Sequence, residues 1–526
     1  MFWADEISKE VVKKFPKREK YVCAAGITPS GTIHIGHLRE VLTSEFVSRA
    51  ISDLGKKSEL IWSWDDYDRL RKIPKNVPSE FEKYLGMPIS DVADPFGCHK
   101  SYAEHFEAEF EKSLPEIGVK ARIIRQNEMY KKNTYYEGIK EAMQKRKKIA
   151  EILYSYKANG GTKEEIENYY PLNVYCDKCN KDTTQITVYD EENKVTYKCE
   201  CGFQETADIS KKNIGKLAWR VDWPMRWKYE GVSYEPAGRD HMSAGSSVDV
   251  SGHLAKEVFQ IEPPLFQGYE WIGITGGTHK MSSSSGDAFN LEMLLEIYEP
   301  EITRWFYARV KPLSAFNFAL DDQIIKNYAE WDDYLRKYSE GKLDDNAKRL
   351  LDFCKIEQGD KIEGGSTSFR QLSSFAQTTK GNINLLKELI KQSGGTLSDR
   401  DVKVRLPRAL NWTEKYAPIE FKITLLDKPN IEYYKSLPDN QKDNLNKLIK
   451  LLDQNWDHDK LTALLYEIPK KEGSAPEEIK NEQHEFFKAI YNLLFGLDKG
   501  PRLATFFLSL GKEKIISLLS LDNQGT

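Results

Sequence analysis

The sequence lacks long hydrophobic runs and any large excess of one charge. No stretch of about 18 consecutive apolar residues occurs, so we expect no membrane-spanning helix and no membrane partner. Residues 1–20 are charged and contain no apolar core of a secretory signal, which favours a cytoplasmic location. The 77 basic residues are balanced by 81 acidic ones, and the net charge is −4. This balance excludes a generally basic coat for DNA or RNA, although it allows a local basic groove.

Cysteine is scarce and unevenly placed. Four of the seven cysteines fall between residues 176 and 201, which indicates a reducing compartment and a metal site instead of a disulfide framework. No histidine lies between His105 and His241, so paired thiolates are the candidate ligands of a structural Zn²⁺; the alternative is a set of ordinary buried cysteines. The candidate ligands are Cys176, Cys179, Cys199 and Cys201.

The chain shows two kinds of hydrophobic pattern. Strand, loop, helix and strand follow one another over residues 21–64, and the pattern returns over 217–274, which predicts a doubly wound parallel sheet of the Rossmann type. Between these halves lies an insertion with the cysteines, where a hairpin is predicted with its turn at 190–193. Residues 322–520 show helical spacing, so an all-helical C-terminal region is expected. The expected strands of the sheet include 21–27, 59–64, 217–221 and 269–274.

The turn after the first predicted strand is a candidate phosphate-binding site. Ligands of doubly wound sheets bind beyond the carboxyl ends of the strands, and a helix N-terminus favours phosphate there. Glycines in this turn allow close approach of a nucleotide, and imidazoles can donate hydrogen bonds to a phosphoryl oxygen. The alternative is a plain turn and helix cap with two surface histidines. The candidate residues are Pro29, Gly31, His34, Gly36 and His37.

A second candidate phosphate site follows the last predicted strand. Residues 279–286 form a Gly/Ser-rich loop with a single lysine, which can close over a triphosphate and neutralise its outer charges. The alternative is a flexible linker. The candidate residues are Lys280, Met281, Ser282, Ser283 and Ser284.

Together, the His-Ile-Gly-His and Lys-Met-Ser-Ser-Ser strings resemble the two signatures of class I aminoacyl-tRNA synthetases. The second string departs from the commonest form at Ser283, where a second lysine often stands, so more of the phosphate neutralisation falls on Lys280. The resemblance implies ATP and Mg²⁺ as cofactors. It also implies catalytic roles for His34, His37 and Lys280.

Three further stretches, 94–106, 217–224 and 238–247, resemble the class I lysyl-tRNA synthetase family. The resemblance implies attachment of L-lysine to tRNA(Lys) through a lysyl adenylate, with the helical region binding the anticodon. Three alternatives stay open: a synthetase for glutamate, cysteine or arginine, a nucleotidylyltransferase, and a non-catalytic RNA-binding paralogue. The predicted domains are two catalytic halves at 1–135 and 215–275, a zinc-containing insertion at 136–214, a loop and stem-contact region at 276–320, and the helical region at 321–526.

A pocket for lysine needs aromatic walls for the aliphatic stem and an acidic or π-rich end for the ammonium. Gly26 and Thr28 are candidates for holding the α-ammonium. The alternative is that Trp219 and Trp223 belong to the core and that Asp222 pairs with a structural arginine. The candidates for the rest of the pocket are Trp219, Asp222, His241 and Tyr269.

Two further groups of residues are weaker candidates. The first is a second metal site, with loop and helix residues near the active site as the alternative. Its ligands would be Asp94, Cys98, His99 and His105. The second group comprises RNA contacts, for which a solvated helix face is the alternative. They are predicted at Lys140–Lys148, Lys178–Lys181 and Lys211–Lys216 for the acceptor end, and at Arg405, Arg408, Trp412, Lys415 and Tyr416 for anticodon bases.

Overall fold

The structure, a computed structural model, describes most of the chain. The described residues are 2–157, 160–274, 289–379, 382–422, 425–452, 457–471, 473–500 and 502–520. The second candidate phosphate site lies outside this part of the chain, so the predictions for these residues are not tested here. They are Lys280, Met281, Ser282, Ser283 and Ser284.

The chain divides into two compact units. The first comprises Met1–Leu294, Pro300–Phe318 and Leu343–Ile362. The second comprises Leu295–Glu299, Ala319–Lys342 and Glu363–Thr526. The domain boundaries that the sequence analysis places at 135, 214, 275 and 320 stay predictions.

Strands are confined to the first unit within the described residues, whereas helices occur in both units. The strands are β1 (Lys20–Ile27), β2 (Lys57–Trp64), β3 (Arg122–Arg125), β4 (Leu172–Val174), β5 (Thr184–Tyr189), β6 (Lys194–Cys199), β7 (Gln204–Asp208), β8 (Gly215–Leu217), β9 (Val232–Gly238), β10 (Leu265–Tyr269), β11 (Ile272–Ile274) and β12 (Phe316–Phe318). The helices up to residue 309 are α1 (Trp3–Lys14), α2 (Ile35–Asp53), α3 (Tyr102–Ser113), α4 (Gln126–Lys131), α5 (Tyr136–Gln144), α6 (Arg146–Ser155), α7 (Lys163–Glu167), α8 (Trp219–Glu230), α9 (Ser247–Glu257), α10 (Leu291–Leu295) and α11 (Pro300–Arg309). The later helices are α12 (Gln323–Ser339), α13 (Asp345–Cys354), α14 (Phe369–Thr379), α15 (Ile383–Gln392), α16 (Leu406–Lys415), α17 (Ile431–Ser436), α18 (Asp439–Leu451), α19 (His458–Glu467), α20 (Pro476–Phe495), α21 (Leu503–Leu510) and α22 (Lys512–Leu519).

A parallel sheet with the order β10-β9-β1-β2-β3 forms the centre of the first unit. Strands β2 and β3 lie on one side of β1, and β9 and β10, which come later in the sequence, lie on its other side. The strand order therefore reverses between β1 and β9, which is where doubly wound sheets bind ligands. The predicted fold class, a doubly wound parallel sheet with an insertion and a helical C-terminal region, is confirmed.

Both faces of β1 are covered, as its continuous apolar sequence requires. Val22 and Ala24 join a hydrophobic cluster with Trp223 and Trp227 of α8. Because side chains alternate along a strand, Cys23 points to the opposite face, where it contacts Ser48 of α2. Helix α2 is buried along most of its length, so it fixes the turn that precedes it against the sheet.

The insertion contains two small antiparallel sheets. Strands β5, β6 and β7 form a meander, and the predicted hairpin turn joins β5 to β6. Strand β4 pairs with β8, which leads directly into α8 and back to the central sheet. Lysines of the lysine-rich helical stretch form ion pairs, including Lys145 with Glu141, and Lys148 with Glu257.

Several expectations about local structure were wrong. The strand predicted at 217–221 ends at Leu217, and α8 begins at Trp219. The segment predicted as a strand at 269–274 is split between β10 and β11. Strand β9 was missed, because its sequence contains serine, glutamate, proline and glycine, which rarely occupy strands.

The second unit is helical throughout the residues that the structure describes, as predicted. The predicted stacking of Arg405 and Trp412 on anticodon bases is wrong, because both side chains are fully buried. Arg405 is held by Glu299 and Asp332, and the Trp412 indole donates to the Leu320 carbonyl over 2.8 Å. These residues serve the core of the unit.

The remaining predicted anticodon contacts on this segment have partners within the second unit. Arg408 donates to the Tyr298 carbonyl over 2.9 Å, and Lys415 pairs with Glu296. Tyr416 follows α16 and is partly buried. No helix in the described ranges combines the length and the apolar character that crossing a membrane requires.

Candidate active site

A cavity of about 650 Å³ lies at the carboxyl ends of the central strands. Each strand of the sheet contributes to its wall at or just after its last residues, as a ligand site at the reversal of strand order requires. Six of the residues predicted for ligand binding line this cavity. They are Gly26, Thr28, His37, Trp219, His241 and Tyr269.

Other predicted residues lie beside the cavity or beneath it. Pro29, Gly31, His34 and Gly36 form the turn that leads into α2, and they are absent from the described lining of the cavity. Asp222 is fully buried and also lies outside the lining. Direct contact of these residues with a ligand stays a prediction.

The histidine turn is held by its own side chains. His34 caps α2, and its Nδ1 atom accepts a hydrogen bond from the Gly36 N–H over 3.1 Å. The Nδ1 atom of His37 in turn accepts from the His34 N–H over 3.2 Å, and the two rings stack at 3.8 Å. A Cβ at position 36 would lie 2.7 Å from Cε1 of His34, so only glycine allows this cap.

The surroundings of His37 also determine its protonation. Burial, followed by the neighbouring His34, lowers the pKa of His37 well below its ordinary value, so its imidazole is neutral. A neutral ring whose Nδ1 accepts a hydrogen bond carries its proton on Nε2. His37, which lines the cavity, therefore has an Nε2–H group to donate to an anionic ligand.

Three tryptophans of α8, spaced four residues apart, form one wall of the cavity. Trp219 stacks on Trp223 at 4.9 Å, and Trp223 contacts Trp227 at 4.9 Å. Trp223 and Trp227 are buried in the core as well as lining the cavity, so the predicted alternative for Trp223 is partly right. A wall of aromatic rings can pack against an aliphatic chain and attract a cation at its end.

Glu40 and Glu235 are among several acidic side chains that line the cavity and were not predicted from the sequence. The Glu40 carboxylate accepts from the Gly26 N–H over 2.9 Å and from the Tyr269 hydroxyl over 2.7 Å. Glu235 accepts from the Trp227 indole over 2.7 Å. Neither carboxylate has a salt-bridge partner within the described part of the chain. Glu40 was detectable, because it follows His37 by three residues and so shares its helix face.

Burial changes the ionisation of both acids. It raises the pKa of Glu40 to about 8, against the lowering effect of the hydrogen bonds from Gly26 and Tyr269. It raises the pKa of Glu235 to about 7, against the effect of the Trp223 and Trp227 hydrogen bonds and Arg226. Each group is thus poised to lose a proton when a cationic ligand enters.

Asp222 belongs to a buried network of charges beneath the cavity. Its carboxylate accepts from the Tyr130 hydroxyl and lies 3.2 Å from Nε of Arg226. Arg226 donates to Asp65 over 2.6 Å, and Lys216 lies 3.6 Å from Asp222. The structure thus shows the arrangement that the sequence analysis gave as its alternative for Asp222, a pairing with a structural arginine.

The four cysteines of the insertion come together as predicted. The Sγ atoms of Cys176 and Cys201 are 3.7 Å apart, and those of Cys179 and Cys199 are 3.6 Å apart. Four thiolates at about 2.3 Å from a tetrahedral zinc ion would lie about 3.8 Å from one another. The donor set and its spacing therefore fit zinc.

The second predicted cluster also comes together. The Cys98 Sγ atom lies 3.1 Å from Nδ1 of His99 and 3.2 Å from Nδ1 of His105, and Asp94 lies 3.4 Å from His105. All four ligand atoms lie within 4.8 Å of one another. The Tyr102 hydroxyl, on the adjoining helix α3, donates to the Ser30 carbonyl over 2.9 Å. The cluster thus stands next to the histidine turn.

The family described as tRNA synthetases class I (K) matches residues 1–358. A lysine–tRNA ligase of Borreliella burgdorferi is 38% identical to the chain and covers 98% of both sequences. One of Pyrococcus horikoshii is 38% identical and covers 99% of both. A glutamate tRNA ligase crystal structure from Elizabethkingia meningosepticum aligns with a TM-score of 0.46 at 12% identity, over 95% of this chain and 98% of that one. The chain belongs to the class I lysyl-tRNA synthetase family.

Proposed function

We propose that the protein attaches L-lysine to tRNA(Lys) in an ATP-dependent reaction that passes through a lysyl adenylate. Membership of the family supports an aminoacyl-tRNA synthetase. The observation that carries the choice of amino acid is the pair of carboxylates, Glu40 and Glu235, which lie beside a tryptophan wall and have no salt bridge within the described residues. A cavity of this kind is suited to an amino acid with a cationic side chain.

The lysine is held by charge at its ammonium groups and by rings along its stem. Thr28 and the backbone at Gly26 bind the α-ammonium, and Trp219, His241 and Tyr269 enclose the stem. Glu40 and Glu235 supply the negative charge that the two ammonium groups require. The Arg226 side chain is committed to Asp65 and Asp222, so it is not available to pair with the side chain of a glutamate substrate.

In the first step, a carboxylate oxygen of lysine attacks the α-phosphorus of ATP, and pyrophosphate leaves. His37 donates through Nε2 to the phosphate oxygens, where negative charge increases in the transition state. His34 holds the turn in place, and the family resemblance assigns further roles there to Pro29, Gly31, Gly36 and the loop of Lys280. Magnesium would accompany ATP and would neutralise part of the charge of its phosphates. In the second step, a ribose hydroxyl of the tRNA 3′ end attacks the lysyl carbonyl, and AMP leaves.

The metal ions have structural roles in this proposal. Cys176, Cys179, Cys199 and Cys201 would hold one zinc ion that joins the segment before β5 to the turn between β6 and β7. Asp94, Cys98, His99 and His105 hold a second ion that fixes the loop next to the histidine turn. The exposed lysines of the insertion contact the acceptor end of the tRNA, and the helical unit binds its anticodon; we place the enzyme in the cytoplasm.

Removal of single cysteines tests both metal sites. Cys176→Ser is expected to lose about one equivalent of zinc per chain and to melt at a lower temperature, because a structural zinc contributes folding free energy directly. Cys98→Ser is expected to lose about one equivalent from the other site. Zinc is measured by elemental analysis after dialysis. The matched control, Cys354→Ser, changes a buried thiol that belongs to neither cluster and should retain all the zinc. Unchanged zinc in Cys176→Ser would contradict the first site.

The affinity for lysine is expected to increase with pH. The free enzyme carries protons on Glu40 and Glu235 below their raised pKa values of about 8 and about 7, and the bound ammonium favours the carboxylate forms. Lysine binding therefore releases protons, and its Kd falls between pH 6 and 8 by at most about tenfold per pH unit for each proton released. Calorimetry in two buffers of different ionisation enthalpy measures the release. A Kd that stays constant over this range would contradict the assignment.

The choice of lysine is tested by ATP–pyrophosphate exchange with lysine, arginine, glutamate and cysteine, each with and without total tRNA. We expect exchange with lysine only. Exchange with arginine would support the binding of a cationic amino acid in the acidic cavity, but it would show that this amino acid is arginine. Exchange with glutamate would contradict the role of Glu40 and Glu235.

A further inference from the structure

Lys216 is a buried cation next to the cavity that the reaction described above does not use. The sequence analysis placed it in a run of RNA-contacting lysines, but it is only 4% exposed, so that assignment is wrong. It lies on β8, the strand by which the insertion joins the central fold. A buried charge is costly unless it is paired, so its partners indicate what it does.

The main partner of Lys216 is Asp68, which lines the cavity. The Lys216 Nζ atom lies 2.5 Å from Oδ1 of Asp68 and 3.6 Å from Asp222. Asp222 is also paired with Arg226, whereas Lys216 is the cation that pairs with Asp68 among the described residues. Burial acts against the charge of Lys216, but Asp68, Asp65 and Asp222 together raise its pKa. The lysine therefore keeps its charge, and it holds the Asp68 carboxylate in place by an ion pair.

The other oxygen of Asp68 contacts Thr28. The Thr28 hydroxyl donates its proton to Oδ2 of Asp68 over 3.0 Å. A hydroxyl has a single proton, and Thr28 donates it to Asp68. Towards any other group, Thr28 Oγ1 can therefore only accept a hydrogen bond. An acceptor is what the α-ammonium of an amino acid needs, because an ammonium group only donates.

We propose that Lys216 is a positioning residue for the amino acid: it holds Asp68 so that Thr28 presents an acceptor to the α-ammonium. This inference rests on the proposed function, since it assumes that Thr28 binds lysine. According to this inference, strand β8 of the insertion contributes to the affinity for the amino acid through Lys216. Lys216 itself does not touch the substrate.

The inference is tested on the full chain with Lys216→Met, which keeps the length of the side chain but removes its charge. We expect the KM for lysine in pyrophosphate exchange to increase by about 10- to 100-fold, with kcat and the KM for ATP changed by less than about threefold. The matched control is Lys120→Met, an identical substitution at a 73% exposed lysine outside the insertion, which should change neither KM. Equal increases in both KM values would overturn the proposal, because they indicate general damage.

A double-mutant cycle separates the proposal from a purely structural role. Thr28→Val is expected to raise the KM for lysine, and Lys216→Met should add little in that background because both act through the same hydroxyl. Additive effects would overturn the role of Lys216 while leaving the proposed function intact. Wild-type enzyme that activates no lysine would instead refute the proposed function. If Lys216→Met does not fold, Lys216→Arg carries the same test, with a smaller increase expected in the KM for lysine alone.

Discussion

Glu40→Gln is expected to raise the KM for lysine by about 100-fold or more, because truncating one partner of a buried charged pair costs several kcal/mol. Glutamine has nearly the same shape: its one oxygen can accept from the Gly26 N–H, and its NH2 group can donate to the Tyr269 hydroxyl oxygen in place of the bond that Glu40 accepts. The substitution therefore removes the negative charge and leaves the surrounding hydrogen bonds largely in place. The KM for ATP should stay within about twofold of the wild-type value.

The measurement for Glu40→Gln is ATP–pyrophosphate exchange over a range of lysine concentrations. Glu292→Gln is the control, because it makes the same change at a half-exposed glutamate paired with Lys112 at the surface. It should leave both KM values unchanged. An unchanged KM for lysine in Glu40→Gln would show that the buried carboxylate does not bind the substrate, and the lysine site would then have to lie elsewhere.

His37→Asn is expected to lower kcat for lysyl-adenylate formation by about 10²- to 10³-fold, the usual cost of removing one donor to a developing charge. Asparagine places an oxygen close to the position of Nδ1 and can still accept from the His34 N–H, so the cap of α2 is retained. It has no group at the position of Nε2. The KM for lysine should change little, since the donor acts mainly in the transition state.

His37→Gln provides the conservative comparison, because its amide nitrogen lies near the position of Nε2. We expect it to recover part of the lost kcat. His253→Asn, at an exposed histidine of α9, should retain the wild-type rate. A His37→Asn enzyme with wild-type kcat, or with a large rise in the KM for lysine alone, would contradict the assigned role.

Features with a local signal could be predicted from the sequence. The apolar run of β1, the glycine-containing turn with His34 and His37, and the hairpin of the insertion are all specified by residues close together in the chain. The cysteine spacing was likewise sufficient to predict that four thiols would meet.

Features that depend on distant partners could not be predicted in the same way. Lys216 looks like any exposed lysine of a basic run until Asp68, remote in sequence, is placed beside it. Trp412 and Arg405 have the composition of an RNA-binding surface, but the packing of the helical unit buries them. The role of Asp222 was open for the same reason, since its pairing with Arg226 depends on helix α8, whose first residues were expected to belong to a strand that ends at residue 221.

The decisive test of lysine–tRNA ligase activity is the charging of total tRNA with each of the twenty radiolabelled amino acids in the presence of ATP and Mg²⁺. We expect that lysine alone becomes attached, that the charged species is tRNA(Lys), and that the Glu40→Gln enzyme charges tRNA only at high lysine concentration. Attachment of a different amino acid, or no attachment by folded protein that contains its zinc, would contradict this expectation.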